Sequence, residues 1–297
     1  MTTTSLRPLS TESGGLAMVA IDQRESLRTI LAQARGADVE DRFLVEFKVA
    51  VARRLAPYAS AMLFDRHYAM PAFRAAAAVA PSCGRILAAD ALVQEPGGTV
   101  QDTEIDEEVD PAQARAQGAA ALKLLLIWRG DDGWRCVEKA SRFMERCRGA
   151  GLIGVVETIV RPRVASRRES TIVDAARRLA LAGPDLYKCE VPFGGKAGDA
   201  AIAGVCEQVS EVLPCPWVVL SQGVEIPDFP RSVEIACRSG ASGFLAGRAI
   251  WSDTVASTDY EAQLAAVSVP RLQMLAEIVD RTRRCAGTAT PGAAPDD

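Results

Sequence analysis

Short apolar runs alternate with amphipathic segments along most of this chain, and this alternation constrains the fold more than any other feature. Most runs are continuous rather than interrupted at every second residue, which is typical of parallel strands buried on both faces. The segments between them have helical periodicity. The eight runs that we interpret as strands lie at 17–22, 59–65, 85–90, 120–128, 152–159, 186–191, 217–221 and 243–249.

Strands that alternate with helices predict a parallel α/β fold. Eight such units fit a single (β/α)8 TIM barrel over residues 1–285, and a doubly wound open sheet is the alternative. The long gap between 90 and 118 predicts an active-site loop with a short helix near 111–118. The tail at 286–297 is rich in Ala, Thr, Pro and Gly, and we predict that it is disordered.

Composition and charge exclude several classes of function. The net charge is −4, so nothing indicates the basic face of a nucleic-acid-binding protein. No run of apolar residues is long enough for a membrane span, and the polar N-terminus has no apolar core of a signal peptide. The eight cysteines show no C-x-x-C spacing, which favours reduced thiols in a cytoplasmic protein.

A single histidine, His67, argues against a zinc enzyme, because catalytic zinc usually takes several His or Cys ligands. Carboxylates alone can bind Mg²⁺, so a carboxylate-bound Mg²⁺ stays open from composition alone. We predict that the protein uses no metal and no cofactor.

Charged residues interrupt three consecutive strands that are otherwise apolar. Lys123 lies in ALKLLLIW, Glu157 in VVETIV and Lys188 in LYKCEVP. Lys and Glu are almost never fully buried unless they are paired, so a buried ion pair is the purely structural explanation. Chemistry in a barrel collects at the carboxyl ends of the strands, where Asp22 also stands at the end of the first run.

A lysine inside a barrel can act as a nucleophile. Burial and a neighbouring cation both disfavour the charged form of an amine, and a neutral amine attacks a ketone to form a Schiff base. We predict this role for Lys188, with Lys123 as the neighbouring cation. Glu157, on the strand between them, would move protons, and Asp22 completes the predicted catalytic set.

The last two strands end in segments that suit an anion. The segment LSQGV contains Ser221 and Gly223, and GFLAGRAIW contains Gly247 and Arg248. Glycines let backbone N–H groups approach an anion, and an arginine adds charge-assisted donors. The loops after strands seven and eight are the usual phosphate site of a (β/α)8 barrel, so we predict that these four residues bind phosphate.

The motifs together resemble the class I tagatose 1,6-bisphosphate aldolase family, over about residues 13–280. They are AIDQRESLR, YASAMLFD, ALKLLLIWR, VVETIVRPR, DLYKCEVPFGGK, VVLSQGV and ASGFLAGRAIW. The resemblance implies a (β/α)8 barrel and a Schiff base on the lysine of a YK-x-E motif, a place that Lys188 occupies. It also implies that Asp22, Lys123 and Glu157 are active-site residues and that a dihydroxyacetone phosphate half binds near Arg248.

Within that family the motif LIWR, with Trp128, is most similar to the members that cleave a sulfonated sugar. This resemblance implies cleavage of 6-deoxy-6-sulfofructose 1-phosphate to dihydroxyacetone phosphate and 3-sulfolactaldehyde. The chain departs from those members at Arg66 and His67, where they have glutamines, and at Gln222, where they have a second serine. The segment 92–103 also differs, so the distal anion, sulfonate or phosphate, is the open point.

Residues near the predicted far end of the substrate are candidates for contacts with hydroxyls or with the distal anion. The forked donors of arginine suit sulfonate and phosphate oxygens. His67 is expected to be exposed more often than in contact with substrate. The candidates are Gln23, Arg24, Asp65, Arg66 and Arg163.

Three other functions stay open at this point. A tagatose or fructose 1,6-bisphosphate aldolase would keep the chemistry and change the distal group. A phosphate-binding isomerase or epimerase would need no imine, and a non-catalytic phosphosugar-binding barrel would need no reactive amine. The expected partners are a small sugar phosphate or sulfonate and further copies of the chain, as a dimer or tetramer, with no nucleic acid or membrane.

Overall fold

Eight parallel strands close into one barrel in a computed structural model that describes residues 4–36, 38–95, 98–130 and 133–288. The strands are β1 (Leu16–Ile21), β2 (Ala61–Phe64), β3 (Gly84–Ala88), β4 (Asp90–Val93), β5 (Asp102–Ile105), β6 (Ala121–Trp128), β7 (Ile153–Val160), β8 (Leu186–Glu190), β9 (Trp217–Leu220) and β10 (Gly243–Ala246). The barrel order is β1-β10-β9-β8-β7-β6-β3-β2. The predicted (β/α)8 TIM barrel is confirmed, and the open sheet is wrong because β1 pairs with both β2 and β10.

Most residues of the barrel strands are apolar because both faces of each strand are covered. In β1, Ala17 and Val19 pack outward with the helices, whereas Leu16 and Met18 point into the barrel. Successive side chains of a strand alternate between its two faces. The same alternation therefore fixes which residues of the other strands face the barrel interior.

Helices cover the outside of the barrel where the sequence has helical periodicity. The helices are α1 (Glu25–Arg35), α2 (Asp41–Leu55), α3 (Met70–Val79), α4 (Pro111–Ala116), α5 (Gly133–Ala150), α6 (Arg168–Leu179), α7 (Asp199–Val212), α8 (Phe229–Arg238), α9 (Arg248–Trp251), α10 (Tyr260–Gln263) and α11 (Val269–Thr288). The short helix predicted near 111–118 is α4, whose first N–H groups are capped by Asp110.

The segment after β3 differs from the predicted loop. It contains an antiparallel hairpin, in which β4 pairs with β5 and Asp90 stands opposite Ile105. Asp90 therefore begins the hairpin instead of ending a barrel strand. The predicted run at 243–249 is also too long, because β10 ends at Ala246 and Arg248 begins α9.

The last helix, α11, continues to Thr288, so the first residues of the predicted tail at 286–297 are helical, and residues 289–297 lie outside the described part of the chain. The division into a barrel domain and a disordered tail otherwise stays a prediction. No helix in the described residues is both long and apolar enough to cross a membrane.

Candidate active site

A cavity of about 450 Å³ opens at the carboxyl ends of the barrel strands, a size typical of small-molecule sites. Its wall includes residues that follow β1, β9 and β10, the interior of β6, β7 and β8, and part of the hairpin β4–β5. Nine of the residues predicted from the sequence lie in this wall: Asp22, Gln23, Arg24, Lys123, Glu157, Lys188, Ser221, Gly247 and Arg248.

Strand alternation brings Lys123, Glu157 and Lys188 into the barrel interior. Glu157 stands directly beside Lys188 in the β7–β8 pairing. Below these side chains the interior is filled by an apolar cluster that includes Val155, and above them lies a second cluster that includes Leu125. The three charged residues therefore form one polar layer between two apolar ones.

Three carboxylates surround the Lys123 ammonium. Its Nζ lies 2.6 Å from Asp90 Oδ2, 2.8 Å from Asp22 Oδ2 and 3.5 Å from Glu157 Oε2. Asp90 is held in place because its Oδ2 also accepts the Leu125 N–H at 3.1 Å. Burial acts to lower the pKa of Lys123, but the three carboxylates outweigh it and raise that pKa well above its ordinary value. Lys123 is therefore a permanent cation.

Lys188 has a different environment. Its side chain is only 5% exposed, and its Nζ lies 2.9 Å from Glu157 Oε1. Its Nζ forms no other ion pair or hydrogen bond with the described residues. Glu157 thus lies between the two lysines, with one oxygen toward each, and its Oε2 accepts no hydrogen bond from the described residues. A carboxylate in this position can exchange a proton with the Lys188 amine.

Asp22 is held as a carboxylate by the same layer. Burial acts to raise its pKa, but Lys123, Lys188 and Arg24 outweigh burial and hold the pKa well below its usual range. Arg24 in turn donates from Nη2 to the Asp90 carbonyl at 2.9 Å and to Asp90 Oδ1 at 3.2 Å. No group of three or more His, Cys, Asp or Glu residues in the described ranges is arranged to bind a metal ion.

The other side of the cavity is built by the ends of β9 and β10. Ser221 Oγ accepts the Ala249 N–H at 3.5 Å, and Arg248 Nη2 lies 3.3 Å from Gln222 Oε1. Gly247 is required here, because a Cβ at this position would lie 2.6 Å from the Ala20 carbonyl oxygen. Burial lowers the pKa of Arg248, so an anion at this side would meet a partly desolvated guanidinium.

Gly223 does not line the cavity, in contrast to the other predicted phosphate residues. It has a φ of +77° in the turn after β9, so the turn requires a glycine here whether or not the residue binds phosphate.

Trp128 is also absent from the cavity, because it is completely buried on the outer face of β6. It lies beside Gly133, and the Arg178 guanidinium is stacked on it at 5.5 Å.

Three residues predicted to contact the distal anion do not line the cavity. Asp65 is completely buried in an ion pair with Lys48. Arg66 forms ion pairs with Asp106 and Glu108 in the loop after the hairpin. Arg163 lies exposed beyond the end of β7. His67 is exposed as well, as the sequence favoured.

Several residues of the cavity wall were missed as site residues, among them Asp90, Gln94, Thr99 and Arg161. Asp90 was recognised only as the end of a strand, and Gln94 and Thr99 lie on the hairpin that the sequence did not predict. Arg161 follows β7 directly, and nothing in the sequence distinguished it from the surface arginines. A charged residue immediately after a barrel strand was the available signal for Asp90 and Arg161.

A (β/α)8 barrel with two buried lysines and several carboxylates around one cavity has the groups that a lysine-dependent carbon–carbon lyase needs. Residues 16–253 match the DeoC/LacD family aldolase. The chain therefore belongs to the DeoC/LacD family of aldolases and is a lyase that cleaves carbon–carbon bonds.

Proteins of known name support this assignment. Tagatose 1,6-diphosphate aldolase 1 of Streptococcus mutans is 27% identical over 313 aligned positions, covering 96% of this chain and 95% of the relative. Tagatose 1,6-diphosphate aldolase of Listeria monocytogenes is 27% identical, covering 84% of this chain and 81% of that protein.

A solved structure is similar in fold. The fructose-bisphosphate aldolase from Slackia heliotrinireducens superposes with a TM-score of 0.62 at 20% identity, covering 98% of this chain and 91% of that one. An archaeal fructose-1,6-bisphosphate aldolase, whose catalytic Lys is covalently bound to the carbinolamine intermediate, superposes with a TM-score of 0.61 at 18% identity, covering 92% of this chain and 96% of that one.

Proposed function

We propose that the protein is a Schiff-base aldolase that cleaves 6-deoxy-6-sulfofructose 1-phosphate to dihydroxyacetone phosphate and 3-sulfolactaldehyde, with Lys188 as the nucleophile. The observation that supports this most directly is the pair formed by Lys188 and Glu157 on the cavity wall, 2.9 Å apart. An amine next to a carboxylate has the two groups that imine formation needs, a nucleophile and a proton acceptor. The covalent Lys of the archaeal relative supports the same chemistry.

The first half of the reaction forms the imine. Glu157 accepts a proton from the Lys188 ammonium, and the neutral amine attacks the C2 ketone of the substrate. A proton moves from nitrogen to the carbinolamine oxygen. Glu157 then returns its proton to that hydroxyl, which leaves as water, and the C2–N bond becomes a protonated iminium. Glu157 is placed for this transfer because one of its oxygens contacts Lys188 Nζ and the other accepts no hydrogen bond within the described residues.

The second half breaks the carbon–carbon bond. A carboxylate accepts the C4 hydroxyl proton, the C3–C4 electrons move into the iminium to give an enamine, and 3-sulfolactaldehyde leaves. Protonation of the enamine at C3 and addition of water to the imine release dihydroxyacetone phosphate and the amine. Glu157 is our choice for these proton transfers. Lys123 and Asp22 orient substrate hydroxyls and stabilise charge, because each is held in its ionised form.

The phosphate of the dihydroxyacetone half binds at the edge formed by Ser221, Gln222, Gly247 and Arg248. The Arg248 side chain lines the cavity and makes no ion pair among the described residues, so its charge is available to a substrate phosphate. Gly247 lines the same edge, where its lack of a Cβ lets the backbone pass close to the Ala20 carbonyl oxygen. Copies of the chain are expected to form a dimer or tetramer, which stays a prediction.

One alternative substrate has a specific observation in its favour. The relatives from Streptococcus mutans and Listeria monocytogenes are both tagatose 1,6-diphosphate aldolases. A tagatose or fructose 1,6-bisphosphate would use the same Lys188 chemistry and place a phosphate where the sulfonate would lie. The two substrates differ in charge, since a sulfonate has one negative charge and a phosphate has nearly two at neutral pH.

Trapping the imine tests the proposal. The protein is incubated with dihydroxyacetone phosphate, reduced with sodium borohydride, and mapped by mass spectrometry. We expect an adduct on Lys188 that disappears in Lys188→Ala and persists in Lys196→Ala, a matched change at an exposed lysine outside the cavity. Binding of the phosphate without an adduct would instead favour an isomerase or a non-catalytic barrel. Comparing kcat/KM for the sulfonated and bisphosphorylated ketoses then decides the substrate.

A further inference from the structure

Two arginines on the cavity wall, Arg161 and Arg248, make no ion pair with any residue of the described ranges. Their nearest side-chain partners are neutral: Arg161 Nη1 lies 3.4 Å from Thr99 Oγ1, and Arg248 Nη2 lies 3.3 Å from Gln222 Oε1. The third arginine of the wall, Arg24, is paired with Asp90. Guanidinium groups that are partly desolvated and lack a carboxylate are suited to an incoming anion.

The two unpaired arginines lie on different sides of the nucleophile. Arg248 follows β10 and Arg161 follows β7, and β9 and β8 separate these strands in the barrel. Lys188 lies on β8, between the two. A ketose that places its C2 carbonyl at Lys188 and its C1 phosphate at Arg248 can extend its remaining carbons toward the side of Arg161.

Positive charge accumulates around Arg161. Burial lowers its pKa, and repulsion from Arg129 and Arg168 lowers it further, with only Glu190 acting in the opposite direction. Glu190 is already engaged, because its Oε1 pairs with Arg168 and its Oε2 accepts the Val160 N–H at 2.8 Å. An anion bound beside Arg161 would relieve this repulsion.

The backbone that presents Arg161 is fixed on both sides of the residue. The Val160 N–H is held by Glu190, and the Arg161 N–H donates to the Trp128 carbonyl at 2.7 Å. Thr99, on the hairpin, adds a hydroxyl beside the guanidinium. A site whose donors are positioned before binding loses less entropy when the ligand arrives.

We propose that Arg161 binds the anionic group on the aldehyde half of the substrate and makes the enzyme selective for ketose 1-phosphates that have a second anion at the far end. This inference rests on the proposed function, since it places C2 at Lys188. The distal group is recognised by its negative charge, which sulfonate and phosphate share. The site replaces the contacts predicted at Arg66 and Arg163, which lie outside the cavity.

Two substrates and two variants test the role of Arg161. The substrates are a ketose 1-phosphate with a sulfonate or phosphate at C6, and fructose 1-phosphate, which has a neutral hydroxyl there. We expect Arg161→Met to lower kcat/KM for the doubly anionic ketose about 10- to 100-fold, mainly through KM, and to change that for fructose 1-phosphate less than about threefold. The matched control is Arg167→Met, which removes an exposed positive charge outside the cavity and should change neither value.

The outcomes separate this inference from the proposed function. Borohydride trapping of dihydroxyacetone phosphate should persist in Arg161→Met, because that half of the substrate never reaches the distal site. Equal losses for both substrates, or no loss for either, would overturn the assignment of Arg161. An equal loss in Arg167→Met would assign the effect to general electrostatics. Absence of an adduct in the unmodified enzyme would instead reject the Schiff base itself.

Discussion

Two buried networks of lysine and carboxylate lie on opposite sides of the barrel wall. Outside the barrel, Lys48 on α2 is completely buried and pairs with Asp65. Its Nζ also donates to the Ile21 carbonyl at 2.8 Å and to the Gln23 carbonyl at 2.7 Å. Inside the barrel, Lys188 forms an ion pair only with Glu157 among the described residues and borders the cavity.

The difference shows that burial and an ion pair do not by themselves identify a reactive lysine. An ammonium has three donors, and protein oxygens use all three donors of Lys48. Lys188 forms one ion pair, with Glu157, and its remaining N–H positions are available to a ligand in the cavity. We therefore interpret Lys48 as a structural residue that holds the end of β1 in place, and Lys188 as the reactive amine.

Removing the cation of the outer network should produce the largest change in stability. Lys48→Met leaves the Asp65 carboxylate buried without a cation, and breaking a buried pair in this way typically costs about 3–5 kcal/mol. We expect that loss in the free energy of unfolding, measured by urea denaturation. The kcat/KM of the folded fraction should stay within about tenfold, because Lys48 does not line the cavity.

The double variant Lys48→Met/Asp65→Asn is the control for this prediction. It removes the unpaired buried carboxylate, and the amide oxygen introduced in its place can still accept the Tyr68 N–H that Asp65 accepts at 2.7 Å. Part of the lost free energy of unfolding should therefore be recovered. If Lys48→Met leaves stability unchanged and abolishes turnover, the distinction between the two networks is wrong, because Lys48 would then take part in the reaction.

Much of the barrel and its charged layer could be predicted because strand alternation is a local property. Lys123, Glu157 and Lys188 interrupt apolar runs at interior positions, and the sequence alone shows this. Asp65 was misassigned because its partner Lys48 comes from a helix, where a lysine within an amphipathic stripe gives no sign that it is buried. Pairing across elements depends on tertiary packing, which local patterns do not report.

The distal side of the cavity shows the same limit. The hairpin strands are only four residues long, at 90–93 and 102–105, and their short mixed sequences lack a clear period. Arg161 was missed among many arginines because its distinguishing property is the lack of a carboxylate within reach in the described residues. That property becomes visible only once the neighbours are known.

Within the inner network, Glu157→Gln should cause the next largest change. Glutamine preserves the shape and a hydrogen bond to Lys188, but it cannot accept a proton, and loss of a general base typically costs about 10²- to 10⁴-fold in kcat. Single-turnover kinetics should show slower imine formation while KM changes little. Asp22 and Asp90 still balance Lys123 in this variant, so the fold should be retained.

Glu190→Gln is the matched control, because Glu190 is also a buried carboxylate and lies on β8 two residues beyond Lys188. Its oxygens are engaged by Arg168 and by the Val160 N–H, so this change should lower stability more than it lowers kcat. Equal losses of kcat in the two variants would indicate that Glu157 acts by holding the site together rather than by moving protons.

The dependence of stability on pH gives the smallest effect and tests the inner network without chemistry. The pKa of Asp22 is held below its usual range, so its ionised form stabilises the fold above the unfolded value of about 3.9, and this contribution is lost as pH falls below it. The pKa of Lys123 is raised, so the contribution of its charge to stability is complete below about pH 10.4 and declines at higher pH.

Asp22→Asn should therefore lower the free energy of unfolding by about 1.5–3 kcal/mol near neutral pH. We would measure the free energy of unfolding of the unmodified protein and of Asp22→Asn by urea denaturation at a series of pH values. The difference between the two free energies should stay constant from about pH 5 to 9 and decrease below about pH 4. A gap that persists unchanged at pH 3 would mean that the charge of Asp22 does not stabilise the layer, and Lys123 would then be balanced by Asp90 and Glu157 alone.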